Sequence, residues 1–461
     1  MSKTTFLSLG LDPGLTDNLL SLGYTEMTDI QSSSLPLILA NKDLIGQGKT
    51  GSGKTAAFGL GLLQKLDVKS FRVQSIVLCP TRELADQVAD EIRRLGRGIH
   101  NIKVLTLCGG APLGLQIGSL RHGAHIIVGT PGRIEEHLRK GTLELESIKT
   151  LVLDEADRML DMGFQDTIDK IIEKVPSQRQ TLLFSATFPD EILNITQRVM
   201  TKPVKVKAES IHKDKTIKQF FYKSSSDDER MTALRLLLSK HKVNSTLVFC
   251  NTKRDTQDVA DELAYYGFYA LSIHGDLDQR ERDQALIRFS NNSVSILVAT
   301  DVAARGLDID SLDIVINFNL ASNPEVHVHR IGRTGRAGRN GIACTLYGDN
   351  EIFKLDALKL GVDFEKFSDP LPSMSYLNKP VNKPAMTTLK IDGGKKQKLR
   401  PGDIVGALTG KGGIPGDKIG KINVVSNWTY VAVSSELIKQ AHKKISNDKL
   451  KGRSFRVRVL S

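Results

Sequence analysis

The sequence feature that most constrains the fold is a regular alternation of short apolar runs with longer amphipathic stretches. In the first half of the chain each apolar run ends in small or polar residues, and amphipathic stretches such as Arg82–Leu95 separate the runs. The runs are SIVLCP (Ser75–Pro80), HIIVGTP (His125–Pro131), TLVLDEAD (Thr150–Asp157) and TLLFSAT (Thr181–Thr187). This rhythm predicts a parallel sheet with helices on both faces, whose ligands bind beyond the carboxyl ends of the strands.

A second series of the same kind predicts a second α/β domain. Its runs are STLVFCNT (Ser245–Thr252), YALSIHGD (Tyr269–Asp276), SILVATD (Ser295–Asp301) and IVINFNL (Ile314–Leu320). Further along, residues 368–385 contain four prolines and little periodicity, which is typical of an extended linker. We therefore predict domains at residues 1–210 and 216–367, a linker at 368–385 and a small domain at 386–461.

Positive charge is concentrated at the end of the chain. The 461 residues include 64 lysines and arginines and 52 aspartates and glutamates, which gives a net charge of +12. Residues 386–461 contain 16 of the basic and 5 of the acidic residues, and so carry +11 of this charge. A compact basic segment is typical of a protein that binds a polyanion, although an isolated run of this kind is also typical of a solvated surface.

Composition argues against several other classes of protein. Hydrophobic residues make up 40% of the chain, which is ample for ordinary cores. No apolar run is long enough to cross a bilayer, and the first residues lack the long apolar segment of a signal peptide. The four cysteines lie far apart with no CxxC pair. We therefore expect neither a disulfide framework nor a zinc site, no association with a membrane, and a cytoplasmic location.

The segment GKTGSGKT has the form GxxxxGK[ST], which is typical of a phosphate-binding loop. Glycines let backbone N–H groups approach phosphate oxygens, and the N-terminus of the following helix favours an anion. In such a loop the lysine reaches the β- and γ-phosphates and the final hydroxyl binds Mg²⁺. A glycine-rich turn is the alternative for the motif taken alone. The candidate nucleotide-binding residues here are Gly48, Lys49, Thr50, Gly51, Ser52, Gly53, Lys54 and Thr55.

An acidic pair ends the predicted apolar strand. Its presence makes a plain glycine-rich turn a weaker explanation of GKTGSGKT. Asp154 is the candidate ligand of Mg²⁺, directly or through water, and Glu155 is the candidate group that orients or deprotonates the attacking water. Together with Lys54 they form the predicted catalytic set of the first domain. The two motifs in this order indicate a nucleotide hydrolase.

The segment HRIGRTGRAGR supplies positive charge that a γ-phosphate needs in the transition state. Arg330, Arg333 and Arg336 recur at three-residue spacing, and Arg339 follows. On a helix this spacing places the arginines on one face, and a basic surface helix is the alternative. If Arg333 and Arg336 act as arginine fingers, they contribute on the order of 10³-fold or more to the rate, and the two domains must close over the nucleotide.

These motifs, in this order, resemble those of the DEAD-box ATP-dependent RNA helicases from Phe6 to Gly338. The resemblance implies two RecA-like parallel-sheet domains, ATP and Mg²⁺ as cofactors, and RNA as partner. GYTEMTDIQ (Gly23–Gln31) is similar to the family's Q motif, in which Gln31 would contact the adenine edge, with Phe6 and Tyr24 near the ring. Asp308, in ATDVAARGLDID, would approach the ribose. The family usually has alanine where this sequence has Gly48.

The resemblance also implies a set of RNA contacts in the two domains. PTRELA, GG, TPGR, VFCNTK and HGDLDQRER are similar to family segments that contact the RNA backbone. SAT, with Ser185 and Thr187, is similar to the motif that couples hydrolysis to strand separation. The RNA-contact residues implied are Thr81, Arg82, Gly110, Thr130, Gly132, Arg133, Asn251, Thr252, Arg282 and Thr300.

The last segment is predicted to be a small α+β, RNA-recognition-like domain with the order β-α-β-β-α-β. We expect strands at GDIVGALTG, NVVSN, WTYVAV and FRVRVL, the last at an edge of the sheet. We expect a short helix at PGDKIGKI and a longer one at SSELIKQAHKKI, which has a capping-box pattern at Ser434 or Ser435.

This segment resembles the C-terminal RNA-binding domain of the DbpA subfamily. DGGKKQKLRPGDIVGALTG and KGRSFRVRVL carry the resemblance. It implies recognition of a hairpin of large-subunit (23S) ribosomal RNA and a role in assembly of the large (50S) subunit. Trp428 and Tyr430 alternate on one strand face, and two roles are open for them, stacking on bases or packing in the core. The candidate phosphate contacts are Lys395, Lys396, Lys398, Arg400, Lys451 and Arg453.

The main hypothesis is an RNA-dependent ATPase that unwinds short duplexes on ribosomal precursors, without an obligate protein partner. A general RNA chaperone and an ATP-gated RNA clamp are the alternatives. The chaperone hypothesis predicts that the segment from Met386 onward has no effect on RNA selectivity. The clamp hypothesis predicts ATP turnover without strand displacement.

Overall fold

The computed structural model describes residues 5–48, 51–187, 190–207, 217–241, 244–304, 312–335, 340–358 and 368–460. It contains two parallel sheets and one antiparallel sheet, in that order along the chain. In the described ranges, no helix is long and apolar enough to cross a membrane. The fold is therefore that of two RecA-like α/β domains followed by a small α+β domain, as predicted.

The first domain is built on a parallel sheet with the strand order β3-β4-β2-β5-β6-β1-β7. Its strands are β1 Leu44–Gln47, β2 Ser75–Leu78, β3 Val104–Leu107, β4 Ile126–Gly129, β5 Thr150–Asp154, β6 Gln180–Ser185 and β7 Val204–Lys207. Its helices are α1 Pro13–Ser21, α2 Asp29–Leu39, α3 Lys54–Gln64, α4 Arg82–Leu95, α5 Leu113–Arg121, α6 Pro131–Arg139, α7 Ala156–Asp161, α8 Gln165–Ile172 and α9 Asp190–Val199.

Successive residues of the central strands enter two different cores. Val77 and Val152 pack into one cluster, together with apolar residues of α2, α3 and α4. Ile76, Leu78 and Leu151 pack into the other cluster, together with residues of α6, α7 and α8. Because both faces of the sheet are covered, its strands are continuous apolar runs, and this explains why the sequence pattern predicted them well.

The second domain has another parallel sheet, with the strand order β10-β11-β9-β12-β13-β8. Its strands are β8 Ile217–Lys223, β9 Thr246–Cys250, β10 Ala270–Ile273, β11 Ile296–Thr300, β12 Ile314–Asn317 and β13 Gly341–Tyr347. Its helices are α10 Asp227–His241, α11 Lys253–Tyr265, α12 Gln279–Ser290, α13 Asp301–Ala304, α14 Pro324–Ile331 and α15 Ile352–Ala357.

The last domain is an antiparallel sheet with the strand order β15-β16-β14-β17 and two helices. Its strands are β14 Met386–Ile391, β15 Ile419–Val424, β16 Thr429–Ser434 and β17 Val457–Leu460, and its helices are α16 Pro401–Thr409 and α17 Ile438–Asn447. The order β-α-β-β-α-β and the edge position of the last strand agree with the prediction.

Three local predictions for this domain were wrong. GDIVGALTG forms helix α16, because Pro401 starts it, Asp403 accepts from the Arg400 N–H, and Ile404 and Leu408 face the core. The predicted first helix is reduced to a 3-10 turn at Gly416–Lys418. The predicted capping box does not form, because the Ser435 hydroxyl contacts Thr387 Oγ1 and Pro384 O instead.

Candidate functional site

The order of the strands in the first sheet sorts the candidate residues into two groups along one edge. Gly48, Asp154 and Ser185 follow or end β1, β5 and β6, which are neighbours in the sheet. The segments that begin at Thr81, Gly109 and Thr130 follow β2, β3 and β4, which form the other half. Because all these strands are parallel, both groups lie at the carboxyl edge.

The glycine-rich loop has two glycines with left-handed backbone. Gly51 and Gly53 have φ angles of 82° and 95°, which side-chain-bearing residues rarely adopt. Helix α3 begins at Lys54, and the Lys54 Nζ donates to Gly48 O at 2.6 Å. Thr55 and the buried end of the lysine thus lie in the first turn of α3, where the helix dipole favours an anion. Lys49 and Thr50 lie outside the described residues.

The Gln31 side chain is held against this loop. Its Oε1 accepts from the Thr28 N–H at 2.9 Å and its Nε2 donates to Gly53 O at 3.1 Å, while Thr28 Oγ1 donates to Ser52 O at 2.8 Å. A Cβ at Gly53 would lie 2.5 Å from Gln31 Nε2. A Cβ at Gly48 would lie 2.9 Å from Ser52 Oγ, which is the end of a rotatable side chain.

Phe6 and Tyr24 form an aromatic pair beside this region. Phe6 is buried, and its ring meets the Tyr24 ring edge-on with the centroids 6.0 Å apart. The Tyr24 hydroxyl donates to Glu91 at 2.8 Å and accepts from Arg94 at 2.6 Å. The pair is therefore fixed by contacts within the first domain.

The acidic pair is buried at the end of β5. Asp154 and Glu155 are 3% and 5% exposed, and burial raises the pKa of Asp154 to about 7 even though the Lys54 ammonium lowers it. Glu155 has a left-handed backbone, with φ 52°. Its carboxylate forms an ion pair of 3.0 Å with Arg158, which is also buried. The Glu155 carboxylate is therefore held in one orientation.

Asp157 connects this acidic segment to the SAT segment, a role that the sequence analysis missed. Its Oδ2 accepts from the Thr187 N–H and hydroxyl, both at 2.9 Å, and from the Ala186 N–H at 3.2 Å. Burial raises the pKa of Asp157, but the bonds from Thr187 and Ser185 outweigh burial, and the pKa is lower than usual. The Ser185 hydroxyl donates to Thr187 O at 2.7 Å. The sequence signal that could have identified this role is the second aspartate of the segment DEAD, which is Asp157.

The three loops on the other half of the first sheet are tied together by polar side chains that are buried or half-buried. A Cβ at Gly110, where φ is 74°, would lie 2.1 Å from Arg82 Nη1, so a side chain there would displace the guanidinium. Arg133 Nη1 donates to Ala111 O at 2.9 Å and to Gln116 Oε1 at 2.8 Å. Thr81 caps α4, and Thr130 and Gly132 stand at the start of α6.

Gln116 and His137 complete this network, and neither was singled out from the sequence. Gln116 Nε2 donates to Cys108 O at 3.0 Å, and its Oε1 also contacts His137 Nε2 at 3.0 Å. Because that Oε1 already accepts from Arg133, the His137 Nε2 carries the proton. Burial, with a smaller effect of Arg133, lowers the pKa of His137, so the ring is neutral.

In the second domain, Arg330 is a structural residue and the predicted arginine face does not form. Helix α14 ends at Ile331, so Arg333 lies beyond it, and Arg333 is buried. The Arg330 guanidinium is 1% exposed and donates twice to Asp301 at 2.7 Å, to Asn319 O at 2.7 Å and to Asn251 Oδ1 at 2.8 Å. Arg336, Arg339 and Asp308 lie outside the described residues.

The Arg330 network orients candidate RNA contacts at the ends of β9 and β11. Asn251 also donates to Leu320 O at 3.0 Å, so both the nitrogen and the oxygen of its amide have a protein partner that fixes its orientation. Thr252 caps α11 through its hydroxyl, and Thr300 ends β11 and accepts from the Ala303 N–H at 3.3 Å. Arg282 lies on α12. Asp301, the partner of Arg330, was missed in the sequence analysis.

The candidate basic residues of the last domain come together from two segments of the chain. Lys451 Nζ donates to Lys398 O at 2.6 Å, and this bond joins the loop at 450–453 to the loop at 395–400. Lys451 also forms an ion pair of 3.2 Å with Asp403. We call the exposed side chains on these two loops the basic surface: Lys395, Lys396, Lys398, Arg400, Lys451 and Arg453.

Trp428 and Tyr430 do not pack in the core of their own domain. They lie on the sheet face that points away from the core of their own domain, which contains Val431 and Val433. Arg280 of α12 lies over the Trp428 ring, 4.6 Å from its centre, and Lys390 Nζ lies 4.9 Å from the same ring. Tyr430 is 2% exposed.

Three family models match the chain in the order of its domains. The DEAD/DEAH box helicase model matches residues 28–195, the helicase conserved C-terminal domain model matches 229–338, and the DbpA RNA binding domain model matches 388–459.

Two relatives and one solved structure extend this similarity. The ATP-dependent RNA helicase DbpA of Escherichia coli is 52% identical over 99% of this chain and 100% of its own length. The DEAD-box ATP-dependent RNA helicase CshA of Geobacillus kaustophilus is 46% identical over 76% of this chain and 75% of its own. The structure of S. cerevisiae Dbp5 bound to RNA and ADP BeF3 has a TM-score of 0.70 and 31% identity, over 77% of this chain and 92% of its own.

A relative of this identity over the whole chain, together with the buried acidic pair and the glycine-rich loop, establishes the family. The chain belongs to the DEAD-box family of ATP-dependent RNA helicases and carries a DbpA-type RNA-binding domain after its two helicase domains.

Proposed function

We propose that ATP binds at the carboxyl ends of β1, β5 and β6. In this proposal Gln31 recognises the adenine, with Phe6 and Tyr24 beside it, and the loop at 48–55 surrounds the phosphates. Gln31 suits this role because its amide can donate and accept at the same time, and because its contacts with Thr28 and Gly53 hold it at the loop. Lys54 would hold the β- and γ-phosphates.

We propose that Glu155 orients the attacking water. Its ion pair with Arg158 supports this role, because a carboxylate fixed in one orientation acts on a water in one position. Arg333 and Arg336 are proposed to stabilise the charge on the γ-phosphate, and Asp308 to contact the ribose. Asp157 is proposed to carry changes at the acidic segment to Ser185 and Thr187.

Mg²⁺ is proposed to accompany ATP, held by the Thr55 hydroxyl and by Asp154. Within the described ranges, no group of three or more His, Cys, Asp and Glu side chains is arranged for a metal. The site nevertheless fits Mg²⁺, since this ion commonly takes one or two carboxylates together with substrate phosphates and waters. When bound, it would neutralise charge on the phosphates.

RNA is proposed to contact the loops of the helicase domains through its backbone. In the first domain these contacts are Thr81, Arg82, Gly110, Thr130, Gly132 and Arg133, and in the second they are Asn251, Thr252, Arg282 and Thr300. Threonine hydroxyls, arginines and exposed backbone amides suit phosphates and sugars, which carry no sequence information. The helicase domains would then grip RNA of any sequence.

Replacing Gln116 by Ala should raise the KM for RNA by about tenfold, because Arg133 loses a charge-assisted hydrogen bond worth roughly 1.5–3 kcal/mol. RNA-independent ATP turnover and the KM for ATP should not change, since Gln116 lies on the other half of the sheet. The measurement is steady-state ATPase activity against RNA concentration. Gln116→Glu keeps the acceptor for Arg133 and should recover part of the loss. An equal change in both KM values would contradict a specific role in RNA binding.

We propose that the basic surface directs the helicase to large-subunit ribosomal RNA, on which it acts in assembly of the 50S subunit in the cytoplasm. The observation that carries this proposal is that six exposed basic residues lie on two loops that are far apart in sequence and are joined by a hydrogen bond, within a DbpA-type domain. The four buried cysteines, none of them in a disulfide, fit a reducing compartment.

Replacing the six residues of the basic surface by glutamine should remove the preference for ribosomal RNA. For every phosphate that a lysine or arginine no longer neutralises, the slope of log affinity against log salt concentration should fall by roughly 0.7–0.9. The measurement is RNA-stimulated ATPase activity and RNA affinity, with large-subunit ribosomal RNA and with unrelated RNA. A variant without residues 386–461 serves as the reference.

The outcome also separates the alternative functions. An unchanged preference in both variants would contradict the proposed address and favour a general RNA chaperone. Normal ATP turnover without displacement of a strand from a tethered duplex would favour an RNA clamp.

A further inference from the structure

The sheet of the RNA-binding domain is covered on both faces. Leu389, Ile391 and Val431 point to the core that this domain forms with α16 and α17. The paired residues Lys390 and Tyr430 point to the opposite face, as do Thr388 and Ala432, and yet all four are at most 2% exposed. Such burial needs a second layer of protein, because a sheet face of this kind is otherwise solvated.

Helix α12 of the second helicase domain and the turn after it form this layer. Thr388 Oγ1 accepts from Asn291 Nδ2 at 3.1 Å and lies 2.7 Å from Ser293 Oγ, and all three side chains are buried. At the rim, Lys421 Nζ of β15 donates to Ser290 Oγ at 3.0 Å. Buried polar groups that pair with each other across an interface fix its register.

The residues of α12 that meet the sheet lie on one side of the helix. Arg280, which lies over Trp428, and Asn291 are eleven residues apart, which is about three turns and roughly 16 Å. Ala285 and Phe289 are buried and lie on the opposite side of the helix. Helix α12 therefore contacts the RNA-binding domain at its first turn and again at and just after its last residue.

The linker is anchored to the same domain. Phe221 N–H donates to Asp369 Oδ2 at 2.7 Å, and Asp369 N–H donates back to Phe221 O at 2.8 Å. Asn382 Nδ2 donates to Asn244 Oδ1 at 3.3 Å, and the linker ends where Ser435 N–H donates to Ala385 O at 2.9 Å. Residues 368–385, for which we predicted an extended linker, include a 3-10 helix at Met374–Asn378 and are bonded to the second domain near both of their ends.

We propose that this sheet face is a docking surface for α12, and that it holds the RNA-binding domain at one fixed distance and direction from the second helicase domain. The inference rests on the proposed role of the basic surface in binding ribosomal RNA. A free tether would present many distances, and the rate of unwinding would then vary weakly with the spacing between the bound hairpin and the duplex. A docked domain selects one spacing.

Trp428 is the only tryptophan of the chain and reports on the docked state directly. Replacing Asn291 by Lys places a larger, charged side chain at the buried contact with Thr388, and should shift the Trp428 emission to longer wavelength and increase its quenching by acrylamide. Asn292→Lys adds the same charge at the exposed neighbouring residue and should leave the emission unchanged. The same emission in Asn291→Lys as in the unmodified protein would overturn the docking.

The spacing is tested with RNAs that join a short duplex to the peptidyl-transferase-centre hairpin of large-subunit ribosomal RNA through spacers of increasing length. The unmodified protein should unwind one spacing at least tenfold faster than the others, and Asn291→Lys should flatten the profile. A flat profile from the unmodified protein overturns the fixed distance. In that case the affinity of the protein for the hairpin alone shows which proposal has failed. If the hairpin does not bind, the proposed RNA address is wrong. If it binds, the docking is wrong.

A cross-link keeps the test independent of how Asn291→Lys folds. Because Ser293 Oγ and Thr388 Oγ1 are 2.7 Å apart, Ser293→Cys/Thr388→Cys should form a disulfide on mild oxidation. The native cysteines are buried and should not compete. The oxidised protein should keep the single preferred spacing. Failure of the pair to cross-link, or loss of the preferred spacing on oxidation, would overturn the proposal.

Discussion

Replacing Glu155 by Gln should lower ATP turnover by about 10²- to 10⁴-fold, as expected when a general base is removed, and should leave ATP and RNA bound. The amide has the same shape, so it fills the same buried position at the end of β5. It cannot accept a proton from the attacking water, and it has no charge to pair with Arg158. We therefore expect a long-lived complex of protein, ATP and RNA.

The measurements are single-turnover ATP hydrolysis and the rate at which RNA dissociates in the presence of ATP. Glu144→Gln, at an exposed position of the same domain, is the matched control and should turn over ATP normally. Rapid turnover by Glu155→Gln would mean that another group orients the water. Weak ATP binding by this variant would indicate that the amide disturbs the pocket, since Arg158 loses its partner.

The proximity of the nucleotide motifs could be predicted from the sequence because of one property of parallel sheets. Gly48, Asp154 and Ser185 are far apart in the chain, but each follows or ends an apolar run. Parallel strands that are buried on both faces bring such ends to one edge. The separation of the nucleotide loops from the RNA loops could not be predicted in this way, because it depends on the order of the strands in the sheet.

Polar side chains that serve the structure could not be told apart from those that bind ligands. Arg330 and Arg333 have the same spacing and the same charge as any pair on a helix face, yet α14 ends between them. Arg330 is buried against Asp301 and Asn251, which are distant in sequence. The three-residue repeat of arginines therefore predicted one helical face, but the helix ends before Arg333.

The environment of Trp428 was unpredictable for a related reason. Thr388, Lys390 and Tyr430 alternate with apolar residues, and that pattern is typical of a sheet with one solvated face. Nothing in the period of a strand indicates that another domain covers its polar face. The partners of Thr388 are Asn291 and Ser293, which lie about a hundred residues earlier and form no recognisable motif.

Replacing Lys54 by Ala should lower ATPase activity by about 10²-fold or more, at every concentration of RNA. In the structure the ammonium donates to Gly48 O at the start of the loop, which places it among the backbone groups proposed to surround the phosphates. Alanine keeps helix α3 but removes the only cation that the loop contributes within the described residues. Since the same charge would contact the ground state and the transition state, both the KM for ATP and kcat should worsen.

Lys65→Ala is the matched control for this prediction, because it makes the same change at the other end of the same helix. Lys65 Nζ donates to Ile38 O at 2.5 Å and to Gln180 Oε1 at 2.6 Å, and burial lowers its pKa to about 8. These partners are structural, so the variant should turn over ATP at the normal rate, whatever the change in its unfolding temperature. Equal losses of activity in both variants would attribute the effect to helix α3 as a whole. A loss confined to Lys54→Ala would attribute it to the charge at the loop, because the two variants differ only in which end of α3 loses its ammonium group.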